Sequence, residues 1–291
     1  KSPNEPYSLF EPEVQKEFLE RQDLERDLRE GLSKGEFELH FQPIVDTARG
    51  TVSGFEALVR WKSPTRGQVS PATFIPLMEE TGMIVPLGLF VLRDACRQAA
   101  RWPQGLFVSI NLSPRQFASP SLVMDVGDAL KTSGLAPHRL QIEVTESLFL
   151  ADGDGILESL SALRMLGVSI AMDDFGTGYS SLGYLSRFPF DKIKIDQSFV
   201  RDLSRKENLA IVRAMIGLGN AMKLQVIAEG VETPEQMAKL MVEGCQEMQG
   251  YLFSKPRPSG DLPRMMMQIR TGFAEGRYAP STTQDTVRRQ A

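Results

Sequence analysis

Cysteine and histidine are scarce, with two of each in 291 residues. Cys96 and Cys245 lie far apart with no CxxC pair. They imply no disulfide framework, and two inert buried thiols in a reducing compartment are expected. His40 and His138 form no cluster, which argues against zinc. Long apolar runs are missing too. The longest, Met83 to Leu92, is interrupted by Pro86 and Gly88 and is far too short to span a bilayer. No signal-peptide pattern is present, so the expected location is cytoplasmic without membrane contact by this segment. A chain that begins with Lys1 rather than Met points to a piece of a longer protein, which missing segments could anchor to a membrane. Clustered basic residues are lacking as well. The formal net charge is -4, which argues against a nucleic-acid polymer as partner. An anionic substrate would then need metal ions or a few placed cations.

What is present is an alternation. The first ten residues are polar and contain proline. Val14, Phe18, Leu28 and Leu32 then fall on one helical face with Leu24 at its edge. This predicts a linker and amphipathic helix over 1–35, serving as barrel packing, as a signalling connection to an upstream domain, or both. From Phe37 onward, β-like runs alternate with helix-like ones. Strands are expected at Glu38–Val45, Val52–Arg60, Phe107–Leu112, Leu140–Thr145, Val168–Asp173, Lys192–Ile195, Gln225–Ala228 and Glu247–Gln249. Helices are expected at Pro71–Thr81, Ser121–Lys131, Gly155–Leu166, Asn208–Met222 and Pro234–Val242. Eight strands with helical crossovers predict an α/β fold of the TIM (β/α)8 barrel type over 36–270. The polar stretch 271–291 reads as a disordered tail.

The chemistry lies at the strand ends. Side chains alternate along a strand, so Glu56, Leu58 and Arg60 share one face. Ser109 shares a face with Asn111, and Lys194 with Asp196. Glu143, Asp173 and Glu229 stand opposite aliphatics, while Gln42 and Gln249 close the first and last strands. Unpaired carboxylates in a barrel core would cost several kcal/mol each. At the C-terminal rim of a barrel they form an active site. Five or six converging acids require a cation. Oxygen donors without His or Cys select Mg²⁺ or Mn²⁺, and enough acids are present for two ions acting on a phosphodiester. Arg60 and Lys194 are the natural partners for phosphate charge. The segment Asp173-Asp174-Phe-Gly-Thr-Gly-Tyr-Ser-Ser181 reads as a mobile lid. Its Asp-Phe-Gly also occurs in kinases, but no Gly-rich nucleotide loop or His-Arg-Asp accompanies it here.

In order along the chain stand Phe-Gln-Pro-Ile-Val45, Glu56-Ala57-Leu58 within Gly-Phe-Glu-Ala-Leu-Val-Arg-Trp61, Asn111-Leu-Ser and Glu143-Val-Thr-Glu146. They are followed by Asp173-Asp174-Phe-Gly-Thr-Gly-Tyr, Lys194-Ile-Asp196, Ala-Glu229-Gly-Val-Glu232 and Gln249-Gly-Tyr-Leu-Phe. This set resembles the EAL-domain family of c-di-GMP phosphodiesterases over roughly Glu36 to Pro258. The resemblance implies a modified barrel whose first strand is antiparallel, and hydrolysis of c-di-GMP to linear pGpG with two divalent cations. It implies that Glu56, Asn111, Glu143 and Asp173 bind the first metal. Asp173 would bridge to the second, with Asp174, Glu229 and Asp196 beside it. Lys194 would position the water or phosphate. The base is either Glu229 or the metal-bridging hydroxide. Gln42, Leu58, Arg60, Glu232 and Gln249 are implied as substrate contacts, and Tyr251 and Phe253 are weaker candidates for stacking on guanine. Glu146 would steady the loop after Asp174, which the family links to dimer contacts. A homodimer and an upstream regulatory or GGDEF-like domain follow from the same resemblance.

Two rivals remain. A catalytically silent c-di-GMP receptor or interaction module would have lost metal ligands, whereas the ligand set here is complete. Another metal-dependent barrel enzyme, such as a lyase acting through an enolate, would share acids at strand ends but not the ordered motifs.

Overall fold

The computed structural model describes residues 12–146, 148, 153–176, 185, 187–188 and 190–280. They group into two compact units. One takes in positions up to Glu38 together with Val59–Leu87, and the other Leu39–Leu58 together with everything from Gly88 onward.

The first unit holds α1 (Pro12–Lys34), the far end of β2 (Thr51–Ser63), β3 (Gly67–Val69) and α2 (Pro71–Thr81). Pro71 sits in the first turn of α2, where its missing N–H costs nothing. Phe37 stacks on Trp61 at 5.7 Å between ring centres and meets Phe74 edge-on at 5.8 Å. Leu28 and Met78 complete this core. Arg66 pairs with Asp27 at 2.7 Å, and Arg21 pairs with Glu80. Among the described side chains of the apolar stripe expected on α1, burial increases toward the C-terminal end. Leu28 is fully covered, Leu24 and Leu32 are half-buried, and Phe18 is 59% exposed.

The second unit is a closed barrel. Its strands are β1 (Phe37–Asp46), β2, β4 (Phe107–Asn111), β5 (Leu140–Thr145), β6 (Ser169–Phe175), β7 (Lys192–Ile195), β8 (Gln225–Ala228) and β9 (Glu247–Gln249). Around the barrel the order is β1-β9-β8-β7-β6-β5-β4-β2, closed by β2 on β1. Neighbours from β2 through β4 to β9 run parallel. β1 runs antiparallel to β9, with Ile44 opposite Gln249. Only positions 47–50 separate β1 from β2, too few for the crossover that a parallel pair requires. The reversed first strand follows from that spacing. A short β10 (Arg257–Pro258) adds to the outer edge of β1.

Helices connect the parallel strands: α3 (Ile84–Ala99), α4 (Pro114–Phe117), α5 (Leu122–Ser133), α6 (Gly153–Met165), α7 (Gln197–Arg201), α8 (Lys206–Met222) and α9 (Pro234–Val242); α10 (Leu262–Ala274) follows the last strand. Barrel aliphatics such as Ile110, Ile142, Ile170 and Ile193 are fully buried and form the shared core. Helix α3 runs straight through Pro86 and Gly88, which the sequence reads as an interruption. Pro86 falls in the first turn, where no intrahelical bond is lost. Gly88 makes room for a neighbour: a Cβ there would lie 1.9 Å from Gln116 Nε2. Gln116 in turn completes a capping box with Ser113 at the start of α4.

The stretch from 271, expected to be disordered, begins inside α10. Tyr278 is buried, 4.7 Å from the Phe273 ring and 5.5 Å from that of Phe253. Three aromatics thus anchor the chain as far as residue 280. Positions 281–291 lie outside the described residues. Among the described residues no single helix is long and apolar enough to cross a membrane.

Cys96 and Cys245 are both buried, and burial pushes each thiol up to about 12. Both are therefore neutral and shielded at ordinary pH. Ellman's reagent at pH 8 is expected to leave the native protein unmodified and to titrate both thiols after guanidinium unfolding. Rapid reaction of either thiol in the native state would contradict this.

Candidate active site

Acids from four strands converge at the C-terminal rim of the barrel. Lys194, near the end of β7 and 1% exposed, is their centre. Its Nζ lies 2.6 Å from Glu143 Oε2, 2.5 Å from Glu229 Oε1, 3.2 Å from Asp173 Oδ1 and 3.9 Å from Glu56 Oε2. An ammonium has three N–H bonds, and three carboxylates stand at contact distance. The phosphate partner expected from sequence is thus committed first to holding the acids.

Neutral donors fix the ring. Asn111 Nδ2 donates to Glu56 Oε1 at 2.7 Å, and Gln249 Nε2 donates to Glu56 Oε2 at 2.5 Å and to Gln42 Oε1 at 3.2 Å. Ser109 Oγ donates to Glu143 Oε1 at 2.6 Å. Gln141 Nε2 donates to Ser109 Oγ at 2.9 Å and to Glu143 Oε1 at 3.2 Å. Sequence reading missed Gln141 and gave Ser109 no role. The alternation that placed Glu143 inward also places Gln141 inward, two residues earlier on β5.

Electrostatically the cluster is lopsided, because four carboxylates share one ammonium. Burial pushes Glu143 up to about 7, with Lys194 opposing and Glu56 and Asp173 adding to the rise. Burial likewise holds Glu229 well above the usual carboxylate range. For Lys194 burial works downward, but Asp173, Glu143, Glu229 and Glu56 together raise it well above its ordinary value. Asp174 is raised by burial first, then by Asp173 and Asp196. It also holds a left-handed backbone, φ 53°, just after the β6 rim, and its N–H donates to Asp173 Oδ1 at 3.0 Å. Non-glycine residues at positive φ often mark functional sites.

A cavity of about 260 Å³ opens beside the ring. Glu56, Leu58, Asp173, Glu229, Glu232 and Gln249 line it, as do Gln42, Gln197 and Tyr251. Two backbone segments build its wall. Val231 N–H donates to Gln249 O, and Leu252 N–H donates to Val231 O, both at 3.0 Å. Gly250 permits this contact, since a Cβ there would lie 2.0 Å from Val231 O. Tyr251 is 55% exposed, whereas Phe253 is buried in the aromatic cluster with Phe273 and Tyr278. Of the two stacking candidates only Tyr251 faces the cavity. Gln249 Oε1 is buried without a hydrogen-bond partner.

Some expected residues stand apart from the ring. Asp196 caps α7, accepting from Ser198 N–H at 2.9 Å, which gives it a structural task alongside its place near Asp174. Arg60 belongs to the first unit, where its Nη1 donates to Val59 O at 2.9 Å. Glu146 is buried just past β5, but most of the Asp173–Ser181 lid it was expected to steady, from 177 onward, lies outside the described residues. The first unit holds a larger cavity, about 650 Å³, lined by Arg21, Arg66, Thr73 and Glu80 among others. Its acids Glu20 and Glu80 are paired with Lys16 and Arg21 respectively, and they form no convergent acid set.

The donor set suits a hard divalent cation in kind, being carboxylate and amide oxygens from separate strands with excess negative charge. Among the described residues no group of three His, Cys, Asp or Glu side chains is arranged to hold a metal as it stands. The acids are turned toward Lys194.

Two outcomes follow. Lys194→Met leaves buried acids uncompensated and should lower stability in urea melts by about 3 kcal/mol or more; an unchanged midpoint would contradict the role of Lys194 as the central counter-ion. Gly250→Ala should lower the melting temperature by about 5 °C or more. Gly127→Ala, where a Cβ meets nothing within 4 Å, should not. Equal behaviour of the two variants would refute the backbone contact.

The EAL domain model matches residues 25–256. An uncharacterized signaling protein of Caulobacter vibrioides is 51% identical over 253 residues, covering 87% of this chain and 31% of that protein. The solved c-di-GMP complex of the PaMucR phosphodiesterase superposes with a TM-score of 0.80 at 43% identity, covering 82% of this chain and 99% of that one. The Klebsiella pneumoniae BlrP1 manganese and c-di-GMP complex gives 0.69 at 37% identity, covering 76% and 56%. The chain spans about a third of the length of the curated relatives it matches. From the ordered motifs, the reversed-first-strand barrel and the family match, the chain belongs to the EAL-domain family.

Proposed function

We propose that this chain hydrolyses c-di-GMP to linear pGpG with divalent cations, Mg²⁺ or Mn²⁺, two per site. The observation that carries the reading is the convergence of Glu56, Glu143, Asp173 and Glu229 within 3.9 Å of one point beside a cavity. Such an excess of buried acid is costly for a receptor that never needs it.

Glu56, Asn111, Glu143 and Asp173 would hold one cation, and Asp173, Asp174 and Glu229, with Asp196 close by, the other. Bound there, the ions would supply a water of lowered pKa and neutralise charge on the phosphodiester. The rest is done by this chain's side chains. Glu229 lines the cavity with its Oε1 2.5 Å from Lys194 Nζ, a position from which either it or a metal-bridging hydroxide would take the proton of the attacking water. Lys194 keeps Glu143, Asp173 and Glu229 from separating, and its ammonium faces the same place as the developing negative charge. Gln249 Oε1, an acceptor without a partner, is suited to an N–H of the substrate. The exposed face of Tyr251 suits a guanine base, while Gln42, Leu58 and Glu232 in the cavity wall complete the substrate contacts. A homodimer and a regulatory domain elsewhere in a longer protein belong to the same reading.

The test is product analysis of the chain with c-di-GMP, with and without Mg²⁺ or Mn²⁺. Linear pGpG formed only with metal and stopped by EDTA is expected. Tight binding without product would instead favour the receptor reading. Glu56→Ala should abolish turnover while unfolding remains cooperative. Wild-type turnover in this variant would remove Glu56 from the metal shell.

A further inference from the structure

One layer below the acid ring lies a buried polar pair. Ser109 on β4 and Gln141 on β5 stand opposite each other in the parallel register. They are 0% and 1% exposed, and Glu143 above them is 0% exposed. The hydroxyl donates to Glu143 Oε1 and accepts from Gln141 Nε2. That amide nitrogen also reaches Glu143 Oε1. Both donors therefore hold the same carboxylate oxygen. The other oxygen, Oε2, points to Lys194 at the rim. Gln141 Oε1 has no hydrogen-bond partner, so the amide's contacts to Ser109 and Glu143 run through its nitrogen alone.

We propose that Ser109 and Gln141 are positioning residues: they pin Oε1 of Glu143 from below and thereby present Oε2 to the cation site. This rests on the reading of the rim as a divalent-cation site. A packing role alone would be served as well by apolar residues, which would not desolvate a hydroxyl and an amide. Aiming a ligand is different, because it needs donors at fixed places beneath it, and outer-shell partners of that kind govern metal affinity. The arrangement uses two neutral donors and adds no charge to a ring that already lacks cations. With both donors removed, Glu143 could rotate, and Oε1 would remain buried without a partner.

The experiment is thermal unfolding of the full chain across a Mn²⁺ titration, for the wild type, Ser109→Ala, Gln141→Met and Ser109→Thr. Ser109→Ala removes one oxygen, and Gln141→Met retains the side-chain length, so both should fold. The Mn²⁺ concentration giving half the maximal stabilisation should rise about 10-fold or more in Ser109→Ala and Gln141→Met. Ser109→Thr, which restores the hydroxyl, should return toward the wild-type value. Turnover of c-di-GMP at saturating Mn²⁺ should recover in the variants by more than it does at low Mn²⁺. A lowered metal-free melting temperature with no shift in the Mn²⁺ midpoint would overturn the proposal and leave only a packing role. A wild type whose stability ignores Mn²⁺ would overturn the cation reading itself, and the proposal with it.

Discussion

Four carboxylates gather round a single ammonium inside a barrel, and the surroundings of that cluster follow from the need to hold it. Burying one unpaired acid is expensive, and burying four around one cation is tolerable only with further donors. The structure supplies them from every side. Asn111 and Gln249 hold Glu56, Ser109 and Gln141 hold Glu143, and the Asp174 amide holds Asp173. These donors are neutral, so four carboxylates still face one ammonium. Further positive charge is what the site would accept, and divalent ions supply it most economically.

The scaffold explains how such a cluster is assembled. Parallel strands bring their C-terminal ends to one rim, so one inward position per strand suffices to place an acid there. The reversed β1 contributes its middle instead, which lets Gln42 meet Gln249. The Glu229–Glu232 and Gln249–Leu252 segments are joined through backbone bonds made possible by Gly250. Acid ring and cavity wall are therefore one construction, and the aromatic anchor of Phe253, Phe273 and Tyr278 lies directly beyond it.

Much of this was legible in the sequence, because strand alternation is a local rule. Leu140–Thr145, Lys192–Ile195, Gln225–Ala228 and Glu247–Gln249 occur as the pattern predicts, and with them the inward placing of Glu143 and Lys194. What escaped depended on contacts between distant residues. Helix α3 was hidden because Pro86 and Gly88 look like breakers until Gln116 fills the space beside Gly88. The end of α10 was hidden because the polar residues from 271 onward are held by Phe273 and Tyr278 packing on the distant Phe253. The first-strand reversal was visible in the gap between β1 and β2, though not in periodicity. Lys194 read as a phosphate partner because sequence shows which face it shares and not which acids reach it first. Gln141 carried only an alternation signal, and its place beneath Glu143 comes from the β4–β5 register.

The central claim is that these acids exist to hold divalent ions at the rim. Crystals grown with Mn²⁺ and measured at an anomalous wavelength test it directly. The account predicts two strong anomalous peaks, one within coordinating distance of Glu56, Asn111, Glu143 and Asp173 and a second beside Asp174 and Glu229. A crystal grown at saturating Mn²⁺ with no peak at this rim, or with manganese bound only on the outer surface, would contradict it.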